Sequence, residues 1–117
     1  MIFKRYIIFF FVLLACSENN NNETYTINFG SETSFDIVTW NLEFFPKDEE
    51  TISYLLDFIP SINSDIYALQ EISSQNSFNQ LVNQLGPEWM GFRSDDSDYQ
   101  ELSYLINTES VEIISNP

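Results

Sequence analysis

The chain contains no histidine. Imidazole is the commonest general base near neutral pH, so hydrolysis that depends on one needs groups other than these 117 residues. Cysteine occurs once, at Cys16, which excludes an internal disulfide, and its surroundings suggest neither a metal site nor a catalytic thiol. Lysine and arginine total four against 18 acidic residues, for a formal charge of −14. Nucleic-acid binding leans on basic patches that neutralise phosphates and release counterions, and no such patch is present. Long apolar runs are also missing. The one unbroken run, Tyr6 to Leu14, is too short for a membrane-spanning helix of ~20 residues.

What that run does have is the shape of a secretory signal, with Lys4 and Arg5 ahead of it. It ends Leu13-Leu14-Ala15-Cys16, which resembles the lipobox of bacterial lipoproteins. The resemblance implies that residues 1–15 are a lipoprotein signal peptide and that Cys16 is lipidated. The protein would then sit in the cell envelope, anchored to the membrane through that lipid and facing the periplasm or cell exterior. An ordinary secretory signal with an incidental cysteine, or an uncleaved anchor, are the competing readings. Residues 16–34 read as the lipidated cysteine and a polar tether, because Glu18, Asn19 to Asn22 and Glu23 carry too little apolar surface to order themselves. Tyr25, Ile27 and Phe29 alternate and offer a short edge strand as the lesser reading. Losing Lys4 and Arg5 takes the charge from −14 to −16, leaving only Lys47 and Arg93 as cations. An acidic surface repels a polyanion, so metal and residues outside this chain supply the positive field, or the substrate is small. The bland alternative is that the charge only maintains solubility.

Residues 35–117 hold the folded domain, organised around Phe35 to Ile72. Two apolar runs, Phe35 to Trp40 and Asp65 to Leu69, each stop on polar side chains: Asn41 after the first, Gln70 and Glu71 after the second. Between them Ile52, Leu55, Leu56 and Ile59 follow the i, i+3, i+4, i+7 spacing of a helix with one buried face. Strand, helix and strand make a βαβ unit with parallel strands, whose carboxyl ends share the edge where open α/β folds place ligand sites. Asn41 and Glu71 should therefore face one crevice. Apolar residues at Phe35, Ile37 and Val38 suggest a first strand covered on both faces. Asp48 is the expected helix N-cap, with Glu49 and Glu50 in the first turn, and Pro60 predicts a stop near Ile59.

At Thr39-Trp40-Asn41-Leu42-Glu43 and Asp65-Ile66-Tyr67-Ala68-Leu69-Gln70-Glu71-Ile72 the chain resembles the endonuclease/exonuclease/phosphatase superfamily, the deoxyribonuclease I-like fold. The resemblance implies a metal-dependent phosphoesterase, most directly a phosphodiesterase of nuclease type. Asn41 would orient the scissile phosphate and the metal, and Glu71 would ligate the catalytic divalent ion, Mg²⁺ or else Mn²⁺ or Ca²⁺. Glu43 is a weaker metal candidate, two residues beyond Asn41. The substrate would be a phosphoester, with nucleic acid among the candidates; no protein partner is evident.

Beyond Glu71, Ser73 to Asn76 should cap a second helix with Phe78, Leu81, Val82 and Leu85 on its apolar face, ended by Gly86-Pro87. Glu88 to Arg93, Glu101 to Asn107 and Val111 to Ile114 read as an antiparallel meander. Asp95, Asp96 and Asp98 lack the glycine and distant glutamate of a calcium loop and read as a solvated turn. The expected class is α/β: a βαβ unit, a second helix, then antiparallel strands. By the resemblance this is the N-terminal portion of a four-layer α/β sandwich, incomplete in this chain and inactive alone, since the family's water-activating histidine and later site residues are missing. The alternative from another class is a non-catalytic surface lipoprotein that binds a ligand.

Overall fold

The computed structural model describes residues 29–95 and 100–115. The expected signal peptide, Cys16 and the expected tether through residue 28 lie outside the described residues, as do Asp96 and Asp98. Six elements follow in order: β1 (Ile37–Phe45), α1 (Thr51–Ile62), β2 (Ile66–Ile72), α2 (Gln75–Leu85), β3 (Trp89–Arg93) and β4 (Glu101–Asn107). They form an α/β fold with one mixed sheet in the order β1-β2-β4-β3. β1 and β2 are adjacent and parallel, and β4 pairs antiparallel with both β2 and β3. No described helix is long and apolar enough to cross a membrane.

Both helices cover the same face of the sheet. Leu55 and Ile59 from α1 and Phe78 and Leu81 from α2 close over Leu42, Phe45, Tyr67, Leu69, Ile72 and Leu105. Alternation decides which strand residues take part, because successive side chains point to opposite faces. Tyr67 is the one polar member of this core. Its hydroxyl donates to the Ile59 carbonyl at 2.7 Å and accepts from the Ser64 N–H, while its ring lies 5.8 Å from that of Trp89.

Burial raises the Tyr67 phenol above its ordinary value of 10.0, with the Ser64 hydrogen bond opposing it. The folded state thus favours the protonated phenol. That contribution is complete below the unfolded pKa and is lost as pH rises through the folded one. Tyr67→Phe should cost about 1–2 kcal/mol at neutral pH by unpairing buried backbone groups, and urea melts should lose less stability above pH 10 than wild type. Equal alkaline losses in the two proteins would remove Tyr67 as the cause.

Several boundaries differ from the sequence expectations. α1 runs past Pro60 to Ile62, because the ring is exposed and sits in the last turn, where only the bond to the Leu56 carbonyl is forfeited. Asn63 then closes the helix in the left-handed conformation, its N–H bonded to Ile59. The helix starts at Thr51, with Glu50 at the cap position and no side-chain cap, so Glu49 and Glu50 precede the first turn. Asp48 instead accepts from the Glu50 N–H and the Thr51 hydroxyl, closing the turn that leads in. At α2 the cap is as expected, with Ser74 accepting from the Ser77 N–H. Gly86 follows at φ 122°, a conformation that L side chains rarely adopt.

Val111 to Ile114 is not a strand. A meander would need a free edge on β4, but β2 and β3 occupy both, so the chain leaves β4 through a turn closed on the Asn107 carbonyl. β1 is not covered on both faces either. Ile37 is 54% exposed, Phe35 just ahead of the strand is 61% exposed, and the sheet face opposite the helices also exposes Met90, Leu102 and Tyr104. From Phe29 onward the segment preceding β1 touches the domain, since Phe29 and Gly30 both donate to the Ile62 carbonyl.

Candidate functional site at the carboxyl edge of the parallel strands

β1 and β2 run in plain register from Ile37 opposite Ile66 to Asn41 opposite Gln70. Beyond that both strands bulge. Between Asn41 and Phe45, three β1 residues face one on β2, and against β4 the two residues Gln70 and Glu71 oppose the single Leu102. Glu43, Phe44 and Glu71 adopt positive φ of 48°, 62° and 61°. Each left-handed non-glycine residue costs roughly 1–2 kcal/mol. Strict alternation would put Glu71 on the core side with Tyr67 and Leu69. The extra residue gives that place to Ile72, which is fully buried, and turns Glu71 outward.

The turned carboxylate meets Asn41. Asn41 Nδ2 donates to Glu71 Oε1 at 2.9 Å, and Asn41 Oδ1 accepts from the Glu43 N–H at 2.8 Å. Both ends of the Asn41 amide are therefore used, which fixes its rotamer. Glu71 keeps Oε2 without a hydrogen-bond partner among the described residues. Gln70 donates to Thr39 Oγ1 at 2.8 Å and to the Ala68 carbonyl, joining the two strands just below. Glu43 pairs with Lys47 at 2.6 Å, both well exposed. That hydrogen bond, with the attraction of the same carboxylate, raises the Lys47 pKa, so the ammonium is charged throughout the neutral range.

Sequence reasoning placed Asn41, Glu71 and Glu43 in one neighbourhood, and the structure brings them together there. Cys16 lies outside the described residues. What it missed is where the cations go. Lys47 follows β1 and Arg93 ends β3, whose direction matches β2 through their shared partner β4. Both cations among the described residues thus stand at this edge. Arg93 Nε and Nη2 donate to the Ile72 carbonyl at 3.1 and 3.0 Å, immediately after Glu71. Spacing along the chain could not show this, because Arg93 is 21 residues away.

The donor set bears on a divalent cation directly. Mg²⁺ takes oxygen ligands, keeps several waters and is commonly held by one or two carboxylates together with substrate phosphate. Glu71 Oε2 is one such ligand. Among the described residues no group of three or more metal-ligating side chains gathers, so an ion here would rest on Glu71, water and substrate. Asn41 would have to give up the Glu43 N–H to ligate, and Glu43 would have to share its carboxylate with Lys47.

Hollows at both ends of the strands mark the surface of the described residues. One of about 340 Å³ runs beside Asn41 and Glu43, between β1 and α1, with Trp40, Tyr54 and Phe58 along it. A larger one of about 540 Å³ lies at the opposite end of the strands, where Glu32, Asp65 and Glu109 face it and, among the described residues, no cation does. For an anionic ligand the first is the better placed. No family model, curated protein or solved structure matches this chain.

Proposed function

We propose that this chain carries part of the site of a metal-dependent phosphoesterase that acts on phosphodiesters, in the manner of the endonuclease/exonuclease/phosphatase superfamily. The observation that carries the reading is the Asn41–Glu71 pair, at the carboxyl edge of adjacent parallel strands, where the bulge turns a carboxylate out of the core. The two cations at the same edge support an anionic substrate on an otherwise acidic chain. A divalent ion, when bound, would neutralise negative charge developing on the phosphoryl oxygens during attack by water. Asn41 orients Glu71 through one oxygen and leaves the second as the one that would ligate the ion. Lys47 and Arg93 supply positive field near the phosphate.

In this reading Asn41, Glu71, Lys47 and Arg93 bind and orient, and the base that takes the water proton is a group other than these four. The exposed sheet face favours the same view. Ile37, Met90, Leu102 and Tyr104 form the apolar side on which a second sheet would pack to make a four-layer sandwich. Lipidation of Cys16 would hold the enzyme at the membrane, outside the cytoplasm.

The test is a paramagnetic footprint. Mn²⁺ added to the full chain should broaden the NMR signals of Asn41, Gln70 and Glu71 before any others, and excess chelator should restore them. Broadening centred on Glu32, Asp65 and Glu109 instead would overturn the reading.

A further inference from the structure

Glu71 owes its outward direction to the β2 bulge, and the bulge is held from three sides. On the β1 side the Phe45 carbonyl accepts from both Ser73 and Ser74 N–H groups. Asn41 holds the carboxylate itself. On the third side Arg93 starts from β3, opposite Ser103 of β4, and reaches past the beginning of β4 to the Ile72 carbonyl of β2. Two guanidinium N–H groups converge on that one oxygen, and a third donates to the Ser94 carbonyl at 3.4 Å. Hydrogen bonds from a charged donor are roughly twice as strong as neutral ones. Arg93 is half-buried, and the ion pair among the described residues is Lys47 with Glu43. Its partners here are therefore backbone carbonyls. A cation committed in this way fixes the path of the main chain.

We propose that Arg93 is a positioning residue: by gripping the Ile72 carbonyl it holds the β2 bulge that presents the Glu71 carboxylate to Asn41 and to a divalent cation. The inference rests on the reading of Asn41 and Glu71 given above. Charge and position make opposite predictions for this residue. Removing a positive charge beside a cation site tightens cation binding by relieving repulsion, whereas releasing the bulge weakens it by scattering the ligand.

Arg93→Met and Arg93→Lys in the full chain separate the two, with Mn²⁺ affinity and the Asn41 side-chain NH₂ signal as readouts. Arg93→Met should weaken Mn²⁺ binding about tenfold, the lower end of what outer partners of metal ligands contribute. The Asn41 NH₂ signal should move toward its solvated position without metal, while signals of Tyr67 and Leu81 stay in place. Arg93→Lys, which keeps the charge and one donor, should recover part of both. Unchanged or tighter Mn²⁺ binding by a folded Arg93→Met would overturn the proposal, as would an unmoved Asn41 signal. Wild type that binds no Mn²⁺ defeats the metal-site reading alone, because the metal-free Asn41 signal still decides whether Arg93 holds the bulge.

Discussion

Glu71→Gln is expected to weaken Mn²⁺ binding by more than about a hundredfold, beyond the range that outer partners of metal ligands command, because it removes the ligand itself. The amide keeps the shape of the side chain and can still accept from Asn41 Nδ2, so the Asn41 contact and the bulge should survive. What is lost is the negative charge at Glu71 Oε2, the oxygen of this carboxylate that Asn41 leaves unused. The chain stands at −14, so a carboxylate fewer reduces self-repulsion, and the variant should fold at least as well as wild type. Titration followed by electron paramagnetic resonance, with circular dichroism on the same samples, checks both halves. In any phosphoesterase that carries this glutamate beside a water-activating base, the same change should remove most chelator-sensitive turnover. An unchanged Mn²⁺ dissociation constant in a folded Glu71→Gln protein would take Glu71 out of the site.

Phe78→Ala should be among the most damaging single changes to the fold. The ring is 1% exposed and lies between α2 and the sheet, where Gly91 of β3 leaves room for it. A β-carbon at Gly91 would come within 3.0 Å of the Phe78 ring and 2.4 Å of Val82, so helix and strand are already at closest approach. Neither can collapse far into the vacated space. Truncating such an aromatic costs about 3–5 kcal/mol, set against the ~5–15 kcal/mol that holds a domain folded. Urea denaturation should show the unfolding free energy fall by that amount and the midpoint fall in proportion. A loss below about 1 kcal/mol would mean that the α2 contact with β3 contributes little to the fold.

The same pair of residues shows how far local patterns carry. Phe78 and Val82 are recognisable as part of a helix face from their spacing, but that Gly91 lies beneath them follows only from the sheet order. The βαβ unit was legible for the same kind of reason. Apolar runs of strand length around an amphipathic helix leave few arrangements, and parallel strands put Asn41 and Glu71 at one edge. Pro60 misled because its penalty depends on whether the ring faces solvent in a last turn, which is a tertiary fact.

The sequence by itself determined the two helices with their buried faces, the parallel pairing of β1 and β2, and the meeting of Asn41 with Glu71, since periodicity and connection length act over a few residues. Tertiary structure alone decided that Val111 to Ile114 stays out of the sheet, because β4 already has a strand on each side. It also decided the bulge that turns Glu71 outward and the reach of Arg93 to Ile72. These depend on how three strands distant in sequence share hydrogen bonds, and no local pattern encodes which carbonyl is left for an arginine to take.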